Sequence, residues 1–376
     1  MTEISVEFLI VGGGIFGAYA AKILSPNSSV ALVEIQQSLL SRASKVNQTR
    51  LHSGAHYLRA PKTAFDAQLH HDRFLIDHEF AMNKNFQHFY GIARQGSLTD
   101  SAGFERFCEW LKIDVQKKKF DLLDGNRVSD TYRVTEYSFD PFLLSRWYLN
   151  EIEKSKVSLH LNSEVIAAER VGDWWDVTVR GPLGLHFKIR AKNVINATYS
   201  NLNSVSRLFN LPETRMKHEY SEMLLLYVPE LQNIAVTVMD GPFFSITPYG
   251  LTGLHVLSSV IYTHHSSTEN QGKKLPCQVI NGFCSVDAFD LCLSCRDKPK
   301  STQRYMLNQL RSFMPNIGQI FVHGQVETMK STWTGEDYRD ERQTSIRKLS
   351  TGPNFYTVMS GKISNIYELE QILHDN

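Results

Sequence analysis

Residues 7–24, EFLIVGGGIFGAYAAKIL, read as a strand, a glycine turn and a helix, in that order. Phe8, Leu9, Ile10 and Val11 form an unbroken apolar run, as expected of a parallel strand buried on both faces. Gly12, Gly14 and Gly17 then complete GxGxxG around Gly13, Ile15 and Phe16, and Ala18–Leu24 continues as a helix. The first glycine permits the tight turn and the second lets backbone amides approach a pyrophosphate. The third allows helix and strand to pack closely, while the helix N-terminus faces the anion. A second apolar strand, VALVEI, places Glu34 twenty-two residues beyond Gly12, followed by Ile35. An acidic side chain there accepts hydrogen bonds from a ribose hydroxyl and disfavours a 2′-phosphate. The spacing predicts a Rossmann-like site for FAD or NAD rather than NADP.

The next stretch of chain discriminates between those two. A Rossmann enzyme that binds NAD continues directly with further βα units. Here residues 41–64, SRASKVNQTRLHSGAHYLRAPKTA, are polar and punctuated, and the next helical pattern runs from Thr63 to Phe80. Within them NQTRLHSGAHYLR gathers two arginines, two histidines and a tyrosine around one glycine. Such an interruption suits a flavoprotein whose chain leaves the nucleotide fold early to line the flavin. FAD is therefore the expected cofactor.

The totals exclude several other classes. With 376 residues, 42% hydrophobic and 21% charged, one large or two intimate lobes of an ordinary globular protein are expected. A net charge of +1, without basic runs, gives no bulk attraction to nucleic acid or anionic membrane. No apolar stretch reaches eighteen residues, and Phe8–Val11 is too short for a secretory signal, so a cytoplasmic location is expected. Five cysteines, an odd and small number, fit a reducing compartment. Cys292 and Cys295 form the one CxxC, and thiols carried on a helix are expected there rather than a metal site.

LHSGAHYL, residues 51–58, resembles the glycine-rich segment of FAD-dependent glycerol-3-phosphate dehydrogenases, and Arg42-Ala43-Ser44 resembles the small-residue element before it. Those enzymes belong to the D-amino-acid oxidase-like superfamily, with glycine oxidase, sarcosine oxidase and L-2-hydroxyglutarate dehydrogenase. Three later segments resemble it too. Residues 158–199 read as successive strands with turns at Gly172-Asp173 and Gly181-Pro182. By resemblance the backbone of Val165 lies on the adenine, and Asn196-Ala197-Thr198 ends a strand at the cofactor, although Tyr199 replaces the usual glycine. GPFFSITPYG, residues 241–250, resembles strands of the substrate lobe and nominates Tyr249, with Tyr262 further on. At the C-terminus, Phe355–Met359, Ser360-Gly361-Lys362 and Ile363 onwards resemble the closing strand, turn and amphipathic helix. There a helix N-terminus and a lysine stabilise charge on the flavin's pyrimidine edge.

The resemblance implies an α/β (α+β) fold, with a Rossmann-like FAD-binding domain interleaved with a smaller, mainly antiparallel β-sheet substrate domain. The expected layout gives residues 1–80, 140–212 and 325–376 to the first and 81–139 and 213–324 to the second. Cofactor contacts are expected from Gly12–Gly17, Glu34, Ile35, Arg42, Ala43, Ser44, Asn47, Arg50, Leu51, His52, Val165, Asn196, Ala197, Thr198, Gly361, Lys362 and Ile363. Arginine binds carboxylate or phosphate in bidentate fashion, so a small anionic substrate is expected near Arg50, Arg59 or Arg339. His52, His56, Tyr57, Tyr249, His218 and Lys330 complete the candidates for its chemistry. The implied reaction is hydride removal from a CH–OH or CH–NH carbon, passing electrons to an unknown acceptor. Alternatives are an amine oxidase releasing imine and peroxide, and a flavin-binding subunit without turnover of its own. The chain lacks a second GxGxxG and the late GD motif of aromatic hydroxylases, which disfavours reductase and monooxygenase readings.

Overall fold

The computed structural model describes residues 3–269, 274–280, 284–285, 289, 292–334 and 344–374. Its opening unit is strand β1 (Glu3–Val11), helix α1 (Ile15–Leu24) and strand β2 (Val30–Val33), with β1 and β2 parallel. These strands belong to an eight-stranded sheet. On its other side β1 pairs in parallel with His186–Asn196, which in turn pairs in parallel with Asn354–Met359. Alternation along β1 explains its continuous apolar run. Phe8 and Ile10 pack under α1 with Tyr19, Leu144 and Tyr148, whereas Leu9 and Val11 pack on the opposite face with Val177, Val194 and Phe355.

A second, nine-stranded sheet is mainly antiparallel. Its longest ladder joins Met216–Tyr227 to Phe321–Trp333, and Ile234–Met239 is its parallel partner of Gln87–Ala93. The α/β (α+β) fold class expected from the sequence is present. Apart from the two large sheets there is a three-stranded one, made of Arg50–Leu51, Tyr137–Phe139 and Met82–Asn83. Small as it is, it fastens the polar segment after β2 to a stretch of chain that enters from the second sheet.

Four details differ from the sequence reading. The helical pattern over Thr63–Phe80 is two helices, Pro61–Leu69 and His71–Asp77, because His70 leaves helical dihedrals at φ −119° and ψ 12°. Residues 325–333 remain in the second sheet rather than returning at 325, since the ladder with Met216–Tyr227 satisfies their backbone groups out to Trp333. Cys292 sits in a single 3₁₀ turn, Cys292–Ser294, instead of a longer helix. The closing segment is also 3₁₀ over Ile363–Glu370 before a last α-helical turn, Gln371–His374.

The opening turn is sterically exacting. Gly12 has φ +102°, and a Cβ on it would lie 2.8 Å from the carbonyl oxygen of Ala197 at the end of the neighbouring strand. A Cβ on Gly17 would overlap the carbonyl oxygen of Gly12 outright. Gly17→Ala is therefore expected to destabilise the fold by at least about 1–3 kcal/mol, the range for overpacking. Gly125→Ala, whose Cβ meets nothing within 4 Å, should stay within about 0.5 kcal/mol of the parent. Urea denaturation of the two variants checks this.

Candidate active site

Glu34 ends β2 almost fully buried, 8% exposed. Its carboxylate accepts from the amide of Gly13 at 2.5 Å and from that of Gln36 at 2.7 Å. Burial raises its pKa, and these two amides with Arg42 oppose the rise. The carboxylate thus lies against the glycine turn. Gly14 caps α1 without a side chain, so the helix N-terminus has no cap hydrogen bond of its own from that residue. Ser44 approaches from the next loop, its Oγ accepting from the amide of Ile15 at 3.0 Å. Asn47 braces the loop by donating to the carbonyls of Ala43 and Ser44 at 2.9 and 3.1 Å.

Across the turn stands the end of the His186–Asn196 strand. Ala197 donates its amide to Val11 at 2.9 Å, and Thr198 lies beside Gly12. Asn196 is wholly buried, donating to the carbonyl of Leu202 and accepting from Thr198 Oγ1 at 2.6 Å. Tyr199, standing where glycine was expected, adopts the left-handed φ of +53° that glycine would supply. Its hydroxyl accepts from the amide of Ser331 at 3.0 Å and donates to the carbonyl of the same residue at 2.9 Å. Val165 is buried where the ladder to Trp174–Arg180 breaks register, between Val165 and Ala167. Ile35, by contrast, is 43% exposed.

The crossing segment, residues 47–59, ends on a cluster of rings. His52 stacks on His56 with centroids 5.8 Å apart, and Tyr57 meets both edge-on at 5.1 and 5.3 Å. Lys362, from the far end of the chain, reaches this cluster. Its ammonium donates to the hydroxyl of Tyr57 and lies 3.8 Å from that ring's centroid. Gly361 beside it donates its amide to Thr344 Oγ1 at 3.0 Å, and Ile363 packs on the first core. Two segments roughly three hundred residues apart thus form one wall.

Under this wall lies an ion pair that the sequence did not reveal. Arg50 and Glu136 have side chains 1% and 0% exposed, and Arg50 Nη2 donates to Glu136 Oε2 at 2.7 Å. The same carboxylate accepts from Tyr90 Oη at 3.0 Å and from the amide of Ser53 at 3.2 Å. His88 Nδ1 stands 3.2 Å from Oε2 and His52 Nδ1 3.7 Å from Oε1. Burial alone would raise the Glu136 pKa, but Arg50 and the two histidines overcome it and hold the carboxyl well below the usual range. Burial, reinforced by Arg50, pushes His52 down to about 3. Burial and Arg50 bring His88 to about 4 against the pull of Glu136. Both rings are neutral near pH 7, and the ion pair is internally compensated.

Several expected binding groups have other employment. Arg50 is enclosed by Glu136, Tyr90 and Ser245, so it supports the site from below instead of presenting a cation to a ligand. Arg59 pairs with Asp240 at 2.8 Å and Lys330 with Glu219 at 2.6 Å. Arg42 Nη1 donates to the carbonyl of Phe289 at 2.9 Å. His218 is buried against Ser331 Oγ at 2.8 Å. Tyr249 is 1% exposed and donates to the carbonyl of Lys45, packing with Met223 and Val256, which is a structural position. Leu51 is likewise core, and Tyr262 stacks on Tyr305 at the other end of the second sheet. Arg339 lies outside the described residues. Glu136, Tyr90 and His88 carry no local motif. A buried arginine in a short strand was the one available hint that a carboxylate had to be near it.

The profile of the family described as "FAD dependent oxidoreductase" matches residues 7–362. The chain belongs to that family. It is a flavoenzyme, and FAD is its cofactor. Its similarity to the FAD-dependent monooxygenase FPY4 of Fusarium mangiferae is 28% identity over 366 residues, covering 95% of this chain and 87% of that one. Its fold is similar to that of glycine oxidase from Geobacillus kaustophilus, with TM-score 0.73 and 12% identity over 99% and 94% of the two chains. It is also similar to L-α-glycerophosphate oxidase from Mycoplasma pneumoniae, with TM-score 0.70 and 15% identity over 98% and 93%. L-amino acid deaminase from Proteus vulgaris gives TM-score 0.70 and 13% identity over 99% and 93%. The residues fit this cofactor: a buried carboxylate at the turn, a helix N-terminus entered through glycine, and a lysine-bearing turn at the opposite end of the crossing segment.

The buried network should make stability sensitive to acid. His52, His88 and Glu136 all have folded-state pKa values below their unfolded ones. Their contributions are therefore present above the unfolded pKa, about 6.5 for histidine, and are lost as pH falls toward 4 and 3. Unfolding free energy measured in urea should decline between pH 6.5 and 5, and His88→Asn should flatten that decline. Arg50→Met leaves Glu136 uncompensated and should cost about 3–5 kcal/mol.

Proposed function

We propose that this flavoenzyme takes a hydride from a CH–OH or CH–NH carbon of a small polar metabolite held against the wall formed by His52, His56, Tyr57 and Lys362. The observation that carries this reading is the meeting of the crossing segment with the closing turn through Lys362 and Tyr57, 305 residues apart in sequence. FAD, when bound, supplies the hydride acceptor. The protein's part is placement and proton handling. As hydride leaves such a carbon, the oxygen or nitrogen must lose a proton, and a neutral imidazole is suited to accept it. His52 is neutral at pH 7 and 14% exposed at its side chain, whereas His88 is sealed at 0%. His52 is thus the ring placed to accept that proton, with Glu136 raising the basicity that burial and Arg50 lower, and His88 is part of its support. Lys362 supplies a cation for an anionic group of the substrate or for charge developing at the cofactor.

A second reading follows from the monooxygenase relative, whose likeness extends over nearly the whole chain. That chemistry needs a reductant to charge the flavin before oxygen reacts, and the sequence offers no second dinucleotide motif. Anaerobic mixing of the yellow holoenzyme with panels of hydroxy acids, amino acids and polyol phosphates separates the possibilities. Bleaching by one of them without nicotinamide supports the proposed reaction. Bleaching only by an added reductant, with labelled oxygen appearing in a product, supports hydroxylation. Retention of colour in every case favours a flavin-binding subunit. With a bleaching substrate, His52→Gln should lower the rate of flavin reduction by roughly 10²–10⁴-fold, the span of general-base catalysis, and leave flavin content unchanged.

A further inference from the structure

The segment Arg50–Ser53 wraps around a single carboxylate. Arg50 and His52 alternate along an extended stretch and face the same way, while Leu51 points into the core. Arg50 donates twice to Glu136 through Nε and Nη2, at 3.2 and 2.7 Å, and Ser53 donates its amide at 3.2 Å. Tyr90 donates its hydroxyl at 3.0 Å from another strand. Glu136 is therefore an acceptor to all of these neighbours, and an ionised carboxylate has no proton with which to satisfy a ring nitrogen lone pair.

That fact constrains both histidines that face it. His88 shows the outcome: Nδ1 lies 3.2 Å from Glu136 and Nε2 lies 2.8 Å from Thr237 Oγ1. A hydroxyl can donate to Nε2, whereas the carboxylate can only accept, so the Nδ1–H form is the one that suits both neighbours, although His88 Nδ1 is close to the carboxylate without an aligned hydrogen bond. His52 presents the same nitrogen to the other carboxylate oxygen at 3.7 Å. A movement of about 1 Å closes that gap to a hydrogen bond. The opposite tautomer would set the Nδ1 lone pair against a carboxylate oxygen that has no proton to give it.

We propose that Glu136 is the positioning residue of this active site, its carboxylate selecting the Nδ1–H tautomer of His52 and leaving Nε2 as the ring atom that meets the substrate. The proposal rests on the role given to His52 above. It adds the reason that imidazole offers a lone pair to the substrate and not a proton. Because Arg50 cancels the charge of Glu136, the influence on His52 is directional. Among the described residues, the other charged or titratable groups around His52 are His56, Tyr57 and Lys362, and none of these is a carboxylate.

The test uses holoenzyme labelled with ¹⁵N-histidine. Long-range ¹H–¹⁵N spectra report the tautomer of each ring, and His52→Gln identifies the His52 signals by their disappearance. The parent is expected to show neutral His52 as Nδ1–H. In Glu136→Gln the pattern should move to Nε2–H, and kcat on the best bleaching substrate should fall by roughly 100-fold with KM changed far less. Glu136→Gln strands Arg50, so Arg50→Gln/Glu136→Gln is made in parallel and should show the same tautomer change at normal flavin content. An Nε2–H signal in the parent overturns the proposal. So does an unchanged tautomer with unchanged kcat in a folded Glu136 variant. If no substrate bleaches the flavin, the role of His52 falls, while the tautomer measurement still judges Glu136 independently.

Discussion

Arg50 and Glu136 form a fully buried ion pair in a protein interior, where a charge without a partner is costly. That constraint organises the neighbourhood. Each lone pair of the carboxylate and each donor of the guanidinium must be met, and the groups that meet them come from four separated parts of the chain: residues 50–53, Tyr90 and His88, Glu136 itself, and Thr237 with Ser245. Holding these together ties the crossing segment to the second sheet. The small three-stranded sheet, in which Arg50 stands opposite Ser138, is the backbone expression of the same junction.

The consequence for chemistry is a site of neutral rings above a compensated pair. Burial keeps His52 and His88 uncharged, and the cation that reaches the ring cluster is Lys362, brought by the closing turn. Of the arginines that looked like anchors for an anionic substrate, Arg50 and Arg59 are held by carboxylates. This arrangement gives the site hydrogen-bond geometry in place of bulk electrostatic attraction, consistent with a net charge near zero. The nucleotide end obeys a different logic. There, glycine sterics and one buried carboxylate, Glu34, shape the turn.

Much of the architecture was legible from local pattern. The apolar run of β1, the glycines of the turn and the acidic end of β2 each carry their meaning within a few residues, because strand burial and turn sterics are local properties. The same holds for the closing strand and its Ser-Gly-Lys turn. The helix break at His70 and the 3₁₀ character of the last segment were less legible, since neither has a glycine or proline to announce it. Tyr199 shows a subtler case. The departure from glycine was visible, but its hydroxyl's two bonds to Ser331 require the second sheet to be in place.

By itself, then, the sequence determined the dinucleotide fold and the flavin as cofactor. It did so because periodicity, turn conformation and motif spacing act over short distances. Only the tertiary structure decided which of the nominated cations are already paired, that Tyr249 is buried with its hydroxyl on the carbonyl of Lys45, and that Glu136 lies beside His52. Those outcomes depend on pairings between residues far apart in sequence, such as Arg50 with Glu136 and Tyr249 with Lys45. A carboxylate or a guanidinium looks the same in a sequence whether water or a buried partner satisfies it.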